Sequence, residues 1–169
     1  MTNSTGTEPF VVKLSSAGDV IWAKQFACTA TGSGEVGVFA VKSDADGKIY
    51  VAGVYEGTLL VDSVSMTSAN NGAYTDIFIS KIDSDGSVLW AKSTGGWVTK
   101  SVTALALDPS GNIIITGTYY SSPSGIIFDA ISLNRSSSGY DGYVVKMNQL
   151  GSFLWARKLT SPSDGDEVP

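Results

Sequence analysis

The sequence contains no histidine and a single cysteine, Cys28, among its 169 residues. Without histidine, Ser–His and Cys–His nucleophilic catalysis and every histidine-containing metal site are excluded. One cysteine forms neither an internal disulfide nor a thiolate zinc site, and we expect it to be a small buried apolar residue. The sequence therefore predicts no catalytic residue, no metal site, no cofactor and no enzyme.

Charged residues are also scarce, at 16% of the chain, and the formal net charge is −5. Phosphate binding needs clustered lysines and arginines, so we expect no nucleic-acid partner. No apolar run reaches the length of about 18 residues that a spanning helix needs, and we expect no membrane insertion. The chain is instead rich in glycine, serine and threonine, with 43% apolar residues. This balance is typical of short strands joined by tight turns.

An internal repeat is the strongest signal in the sequence. Three segments align without gaps: FVVKLSSAGDVIWAK from Phe10, FISKIDSDGSVLWAK from Phe78 and YVVKMNQLGSFLWAR from Tyr143. The recurring residues include the tryptophans Trp22, Trp90 and Trp155 and the glycines Gly18, Gly86 and Gly151. Each segment is predicted to be a β-hairpin with its glycine at positive φ in the turn. The recurring tryptophans are expected to be packing residues.

A second unit lies between these hairpins. AVKSDADGKIYVAG from Ala40 matches ALALDPSGNIIITG from Ala104, which places Gly47 over Gly111. A weaker match between VDSVSM and FDAISL predicts one short strand more in each repeat. The runs KIYVAG and NIIITG are continuously apolar, which indicates strands covered on both faces. We therefore expect a stack in which each sheet packs between two neighbours.

The run DIFISKIDSDGSVLWAKSTGG, followed by VTALALDPSGNIIITGTY, resembles the SBBP family, the β-propeller repeats found in many secreted bacterial proteins. The resemblance covers residues 8–160 and joins both hairpin motifs in the family's order. It implies four-stranded blades around an axis and an extracellular or cell-surface setting, although the first residues show no signal peptide. It implies no reaction, since the family is defined by its scaffold.

The predicted fold is all-β: a β-propeller-like array of four-stranded antiparallel blades, with about two and a half repeats in one domain. The predicted segments are an N-terminal tail at 1–7, an outer half-blade at 8–27, blades at 38–94 and 101–160, and a tail or start of a next repeat at 161–169. A closed propeller needs about four to eight blades. The repeats are therefore either a fragment of a longer protein or an open array that assembles through exposed edges.

The function predicted first is a non-catalytic extracellular scaffold or interaction module, with protein partners or further copies of itself. One alternative is a self-assembling surface or filament subunit that pairs through open sheet edges. Another is a carbohydrate-binding module that uses loop aromatics. Trp97 lies in GGWVTK and has no equivalent in the other copies, and Tyr119 and Tyr120 begin the irregular stretch YYSSPSG. Aromatic side chains on such loops suit a glycan platform.

Acidic residues near the turns offer two further interpretations. The segments Asp44–Gly47 and Asp83–Gly86 look like the opening of a calcium loop, but the remaining ligand positions are absent and only the glycine recurs. Turn chemistry is favoured, with recurring carboxylates that accept hydrogen bonds from backbone N–H groups. Nothing selects a pair of carboxylates for glycoside hydrolysis.

Sequons at Asn3 and Asn134 indicate surface loops.

Overall fold

A computed structural model describes residues 8–29, 36–69, 73–121, 125–134 and 139–159. The predicted tails at 1–7 and 161–169, the Asn3 sequon and most of the Asn134 sequon lie outside these residues. Within the described part of the chain, no helix is long and apolar enough to cross a membrane.

The described residues form fifteen β-strands. These are β1 (Phe10–Leu14), β2 (Val20–Gln25), β3 (Ala27–Thr29), β4 (Val36–Ser43), β5 (Ile49–Tyr55), β6 (Thr58–Val61), β7 (Val64–Thr67), β8 (Asp76–Ile82), β9 (Val88–Ser93), β10 (Ala104–Leu107), β11 (Ile113–Ser121), β12 (Ile126–Phe128), β13 (Ile131–Leu133), β14 (Gly139–Met147) and β15 (Phe153–Leu159).

Two four-stranded antiparallel sheets form the body of the protein. The first blade has the order β4-β5-β8-β9, and the second blade has the order β10-β11-β14-β15. Strand order in space follows strand order along the chain, as in the blades of a propeller. The prediction of an all-β array of four-stranded antiparallel blades is therefore confirmed.

A third unit, the N-terminal half-blade, consists of β1 and β2. These strands pair in the register Phe10↔Gln25 to Leu14↔Val20. In sequence they correspond to the outer strand pairs of the two blades, β8–β9 and β14–β15. Among the described residues, β1 has no strand partner other than β2. Within this part of the chain, the inner edge of the strand pair is therefore open.

A small hairpin interrupts each blade between its second and third strands. The sequence predicted one short strand here, but the structure has two, β6–β7 in the first blade and β12–β13 in the second. Asp62 and Asp129 lie in the hairpin turns with φ values of 53° and 51°. Aspartate tolerates this left-handed region better than most residues. The recurring aspartate therefore indicates a turn, which the match between VDSVSM and FDAISL did not predict.

These small hairpins also connect successive repeats. Strand β6 pairs with β3, which follows the half-blade, in the register Ala27↔Leu60 to Thr29↔Thr58. In the second blade Ile127 makes the equivalent bridge to Gly95, which follows the first blade. Each hairpin is therefore hydrogen-bonded to the segment that leaves the preceding repeat.

Two apolar cores fill the spaces between the sheets. The core between the half-blade and the first blade includes Phe26, Tyr55 and Phe78. The core between the two blades includes Tyr50 and Tyr143. Every residue of β5 and β8 is buried, because these strands contribute alternate side chains to both cores. The strand that contains KIYVAG is therefore covered on both faces as predicted, whereas β11, which contains NIIITG, alternates between buried and half-buried residues, so the prediction is wrong for that strand.

Candidate functional site

The half-blade is joined to the first blade by a tryptophan that lies on a turn. The indole Nε1 of Trp22 donates to the backbone oxygen of Ser84 at 3.1 Å. The Nζ atom of Lys13 donates to the same oxygen at 2.7 Å. A Cβ atom placed on Gly86, whose φ is +95°, would lie 3.0 Å from Cγ of Trp22. Glycine is therefore required for the backbone twist and for the close approach of the ring.

The same joint connects the first blade to the second. Trp90 Nε1 donates to the backbone oxygen of Gln149 at 3.1 Å, and Lys81 Nζ reaches it at 3.3 Å. A Cβ atom on Gly151 would lie 3.3 Å from Cδ2 of Trp90. Since every member occupies the equivalent repeat position, the joint is a property of the repeat.

A charged contact accompanies each joint. Lys24 at the end of β2 forms an ion pair with Asp62 at 2.7 Å, and Lys92 in β9 lies 3.8 Å from Asp129. The sequence predicts that Asp62 and Asp129 accept hydrogen bonds from backbone N–H groups. In the structure both carboxylates lie in the hairpin turns, where each contacts a lysine of the preceding repeat. Exposed pairs of this kind contribute little stability, about 0–1 kcal/mol. They help to align one repeat with the next.

Two surfaces of the described residues carry the same repeat residues without the joint. Trp155 is the third repeat tryptophan, and 36% of its surface is exposed. Lys146 forms an ion pair with Asp108 of its own blade at 2.8 Å. At the other end, a Cβ atom on Gly18 would meet nothing within 4 Å. One end therefore presents a tryptophan, and the other presents a turn glycine.

The inner turns have the chemistry that the sequence favoured. One carboxylate oxygen of Asp44 accepts from the N–H groups of Asp46 and Lys48. Asp108 closes the equivalent turn in the second blade, and Lys146 beside it holds the pKa of its carboxyl below the usual range. The repeat glycines have φ values from +75° to +95°: Gly18, Gly47, Gly86, Gly111 and Gly151. Among the described residues, no three His, Cys, Asp or Glu side chains are grouped as metal ligands.

The loop aromatics do not share one environment. Trp97 has 60% of its surface exposed, and Tyr120 is also exposed. Tyr119 is completely buried, and its ring lies in the core between the blades. This burial raises the pKa of its hydroxyl. Tyr140 joins the exposed group, because its ring packs edge-on against Tyr120 with 5.2 Å between centroids. Sequence reasoning missed Tyr140, which follows a serine-rich stretch and matches no repeat residue.

A buried lysine positions the loop that carries Trp97. Lys100 Nζ donates to the backbone oxygens of Gly96 at 2.8 Å and Val98 at 3.0 Å, the residues on either side of the tryptophan. The same ammonium donates to the carboxylate of Asp76. The two charged side chains are 0% and 1% exposed. The loop is therefore attached to the blade by a cation in the protein interior.

Burial dominates the ionisation of this pair. It lowers the pKa of Lys100 and raises the pKa of Asp76, while each charge opposes the shift of the other. The second oxygen of Asp76 accepts from the N–H of Ala69 at 2.6 Å. The sequence predicts that Asp76 accepts hydrogen bonds from backbone N–H groups. The bond from Ala69 fits this prediction, and the contact with Lys100 is additional. Lys100 was not singled out, because it occurs once and no repeat position announces it.

A groove of about 480 Å³ runs between β1 and the inner strands of the first blade. Its lining includes Val12, Leu14, Val41, Lys42 and Ile49. Beside the groove is the open edge of β1. The N–H of Phe26 bonds the oxygen of Pro9. Since hydrogen-bonded pairs alternate along an antiparallel ladder, Phe10 and Val12 direct their backbone groups away from β2.

Comparison with known proteins supports a repeat architecture. No known family profile matches the chain. An uncharacterized WD repeat-containing protein of Acanthamoeba polyphaga mimivirus is 31% identical over an alignment of 108 residues, which covers 50% of this chain. The chain spans only 8% of the length of that protein. The fold and this similarity define a β-repeat protein.

Proposed function

We propose that this chain is a non-catalytic interaction module that binds a protein partner at the open edge of β1. The observation that carries the proposal is the difference between β1 and its repeat equivalent β8. The backbone groups of Phe78 and Ser80 in β8 pair with β5 in the registers Gly53↔Phe78 and Val51↔Ser80. Among the described residues, the equivalent groups of Phe10 and Val12 have no strand partner and lie beside the groove.

The partner segment that fits this edge is an extended apolar strand. It would take the place that β5 takes beside β8, with backbone hydrogen bonds to β1 and alternate side chains in the groove. The exposed side chains of Phe10, Leu14 and Val41 surround this position, and they favour an apolar rather than a charged strand.

The wider assignment draws on similarity. The WD repeat-containing relative supports an interaction role. The resemblance to secreted β-propeller repeats supports an extracellular or cell-surface setting, which we include in the proposal. Fractionation of the source cells would test the setting independently of binding.

Strand addition is tested with a synthetic peptide that carries the β5 sequence IYVAGVY between solubilising lysines. We expect saturable binding by fluorescence anisotropy and at least a tenfold loss with Val12→Pro, because proline lacks the N–H that faces the open edge. Ala23→Pro is the matched control, since Ala23 pairs with Val12 in the ladder and directs its N–H to the opposite edge. Equal binding by Val12→Pro would show that β1 does not take a strand.

A second candidate function is glycan binding at Trp97. The observation that favours it is the attachment of this exposed ring by Lys100, because a loop fixed around an exposed aromatic is suited to stack on a sugar. Tyr120 and Tyr140 form an exposed ring pair in the second blade. Trp97→Ala should abolish glycan-array binding with little change in melting temperature, while Trp155→Ala should retain it. An array that shows no ligand for the unmodified protein would remove this candidate.

A further inference from the structure

We propose that the surface around Trp155 is a docking site for a second copy of this chain, which binds through the turn Ser15–Gly18 of its half-blade. The inference rests on the proposed interaction role, but it uses the face of the outer strands and not the edge of β1. The two internal joints supply the geometry. Both faces of the joint are present on one molecule, at opposite ends of the array.

The docking tryptophan is placed as its two equivalents are. In both internal joints the indole N–H donates to the carbonyl that lies two residues before a turn glycine, and the ring covers that glycine. Trp155 pairs with Lys146 across the outer hairpin, as Trp90 pairs with Lys81. Trp155 is 36% exposed, whereas Trp22 and Trp90 are half-buried. The indole therefore lacks only a turn to lie on.

The turn that would fill this place is already formed. In the half-blade, Gly18 N–H bonds the oxygen of Ser15 at 3.0 Å, and Ser15 N–H bonds the oxygen of Asp19 at 2.8 Å. The turns that contain Gly86 and Gly151 have the same pair of bonds, and φ is +90° at Gly18 against +95° and +85° there. The oxygen of Ser16 thus corresponds to the two carbonyls that accept from tryptophan, and the surface above Gly18 is open.

The second blade is suited to a partner that covers only its outer half. Tyr50, Ala52 and Val54 of the first blade are buried against the second blade. At the equivalent positions of β11, Ile114 replaces Tyr50, while Thr116 and Thr118 replace Ala52 and Val54, and all three are only half-buried. An outer strand pair without inner strands would cover Trp155 and leave these threonines in water.

The resulting contact joins two different surfaces. A copy that offers Trp155 to its neighbour still has its own turn at Gly18 to receive another tryptophan. Such a heterologous contact builds a ring if the rotation closes and an open filament if it does not. A symmetric dimer is not the expected product.

Molar mass by light scattering tests the proposal over about a hundredfold range of concentration. The unmodified chain should form species that grow beyond 17.6 kDa, whereas Trp155→Ala and Gly18→Asn should each remain monomeric. Asparagine is chosen because it tolerates positive φ while placing a side chain where the ring should lie. A mixture of the two variants should form a dimer and nothing larger, because each variant retains the surface that the other lacks.

Controls separate the joint from general effects. Trp97→Ala removes an exposed tryptophan elsewhere, and Gly47→Asn introduces the same backbone strain in an inner turn, so both should assemble normally. An excess of Trp155→Ala should shorten assemblies of the unmodified chain to dimers, a readout that does not depend on the folding of the Gly18 variant.

Three results would overturn the docking proposal: a monomer throughout the concentration range, normal assembly by Trp155→Ala, or a mixture of variants that forms no dimer. If Val12→Pro blocks assembly while Trp155→Ala does not, copies pair through the β1 edge. That result would leave strand addition intact and reject this joint. If the unmodified chain assembles normally but does not bind the β5 peptide, strand addition is rejected and the joint stands.

Discussion

Replacing Lys100 by methionine should cause one of the largest losses of stability available in this fold. The change retains side-chain length but leaves the carboxylate of Asp76, which is 1% exposed, without its counter-ion. Removing one partner of a buried ion pair costs about 3–5 kcal/mol. The backbone oxygens of Gly96 and Val98 also lose their donor. We therefore expect a loss of about 4 kcal/mol at pH 7, a large part of a typical total of about 5–15 kcal/mol.

The loss should depend on pH in a defined direction. In the unmodified protein, burial raises the pKa of Asp76 and the charge of Lys100 opposes that rise. Without Lys100 the pKa of Asp76 must increase further, so the folded variant binds a proton more tightly than the unfolded chain, where the pKa is 3.8. The variant therefore recovers stability as the pH falls from 7 towards 4, by up to about 1.4 kcal/mol per pH unit.

Urea unfolding at pH 7 and at pH 4.5 measures both effects. The double variant Lys100→Met with Asp76→Asn should recover part of the loss at pH 7, because it removes the buried charge. Lys92→Met is the control, since its ion pair with Asp129 is long and exposed and should contribute less than about 1 kcal/mol. A loss below about 1 kcal/mol for Lys100→Met, or an equal loss at the two pH values, would refute the reasoning.

Two further predictions concern the joints and the buried tyrosines. Trp90→Ala should lower the free energy of unfolding by about 2–4 kcal/mol in urea, because a packed ring and its bond to Gln149 are lost. Trp155→Ala should lower it by less than about 1 kcal/mol in dilute solution, and equal losses would contradict the difference in packing. Burial raises the pKa values of Tyr50 and Tyr55 to about 12, so their contribution is complete below pH 10 and is lost as the pH rises towards 12. Melting temperatures between pH 9 and 12 should show this decline, and phenylalanine at both positions should reduce it.

The repeat architecture could be predicted because the residues that define it act between repeats. Trp22 and Trp90 recur at one position, and each lies on a glycine that recurs at another. A residue that has the same neighbours in every copy is the same amino acid in every copy, so an alignment of the repeats detects it. The small hairpins are less visible, because only Asp62 and Asp129 mark their turns and the flanking strands are short.

The loop surfaces were harder to predict, since they depart from the repeat. Tyr119 was grouped with the exposed aromatics, yet it aligns with Tyr55, a core residue. The inner-hairpin alignment, extended by two residues, contained that signal. The sequence contains no such signal for Lys100. Its role depends on the folded structure, which brings Asp76 close to two backbone oxygens of the loop, and neither spacing nor composition predicts that contact.

The polarity of the outer surfaces links the fold to the proposed functions. An array of identical repeats would present the same apolar face at its end that it buries at each internal joint. This chain differs in its inner strands, where Thr116 and Thr118 replace apolar residues, and keeps the joint tryptophan at Trp155 in the outer strands. Ile114 remains apolar beside these two threonines, so the face is mixed over the inner strands and aromatic over the outer ones, a difference that hydrophobic burial alone does not explain. A contact restricted to the outer strands explains this difference, because the half-blade of a second copy would cover those strands alone.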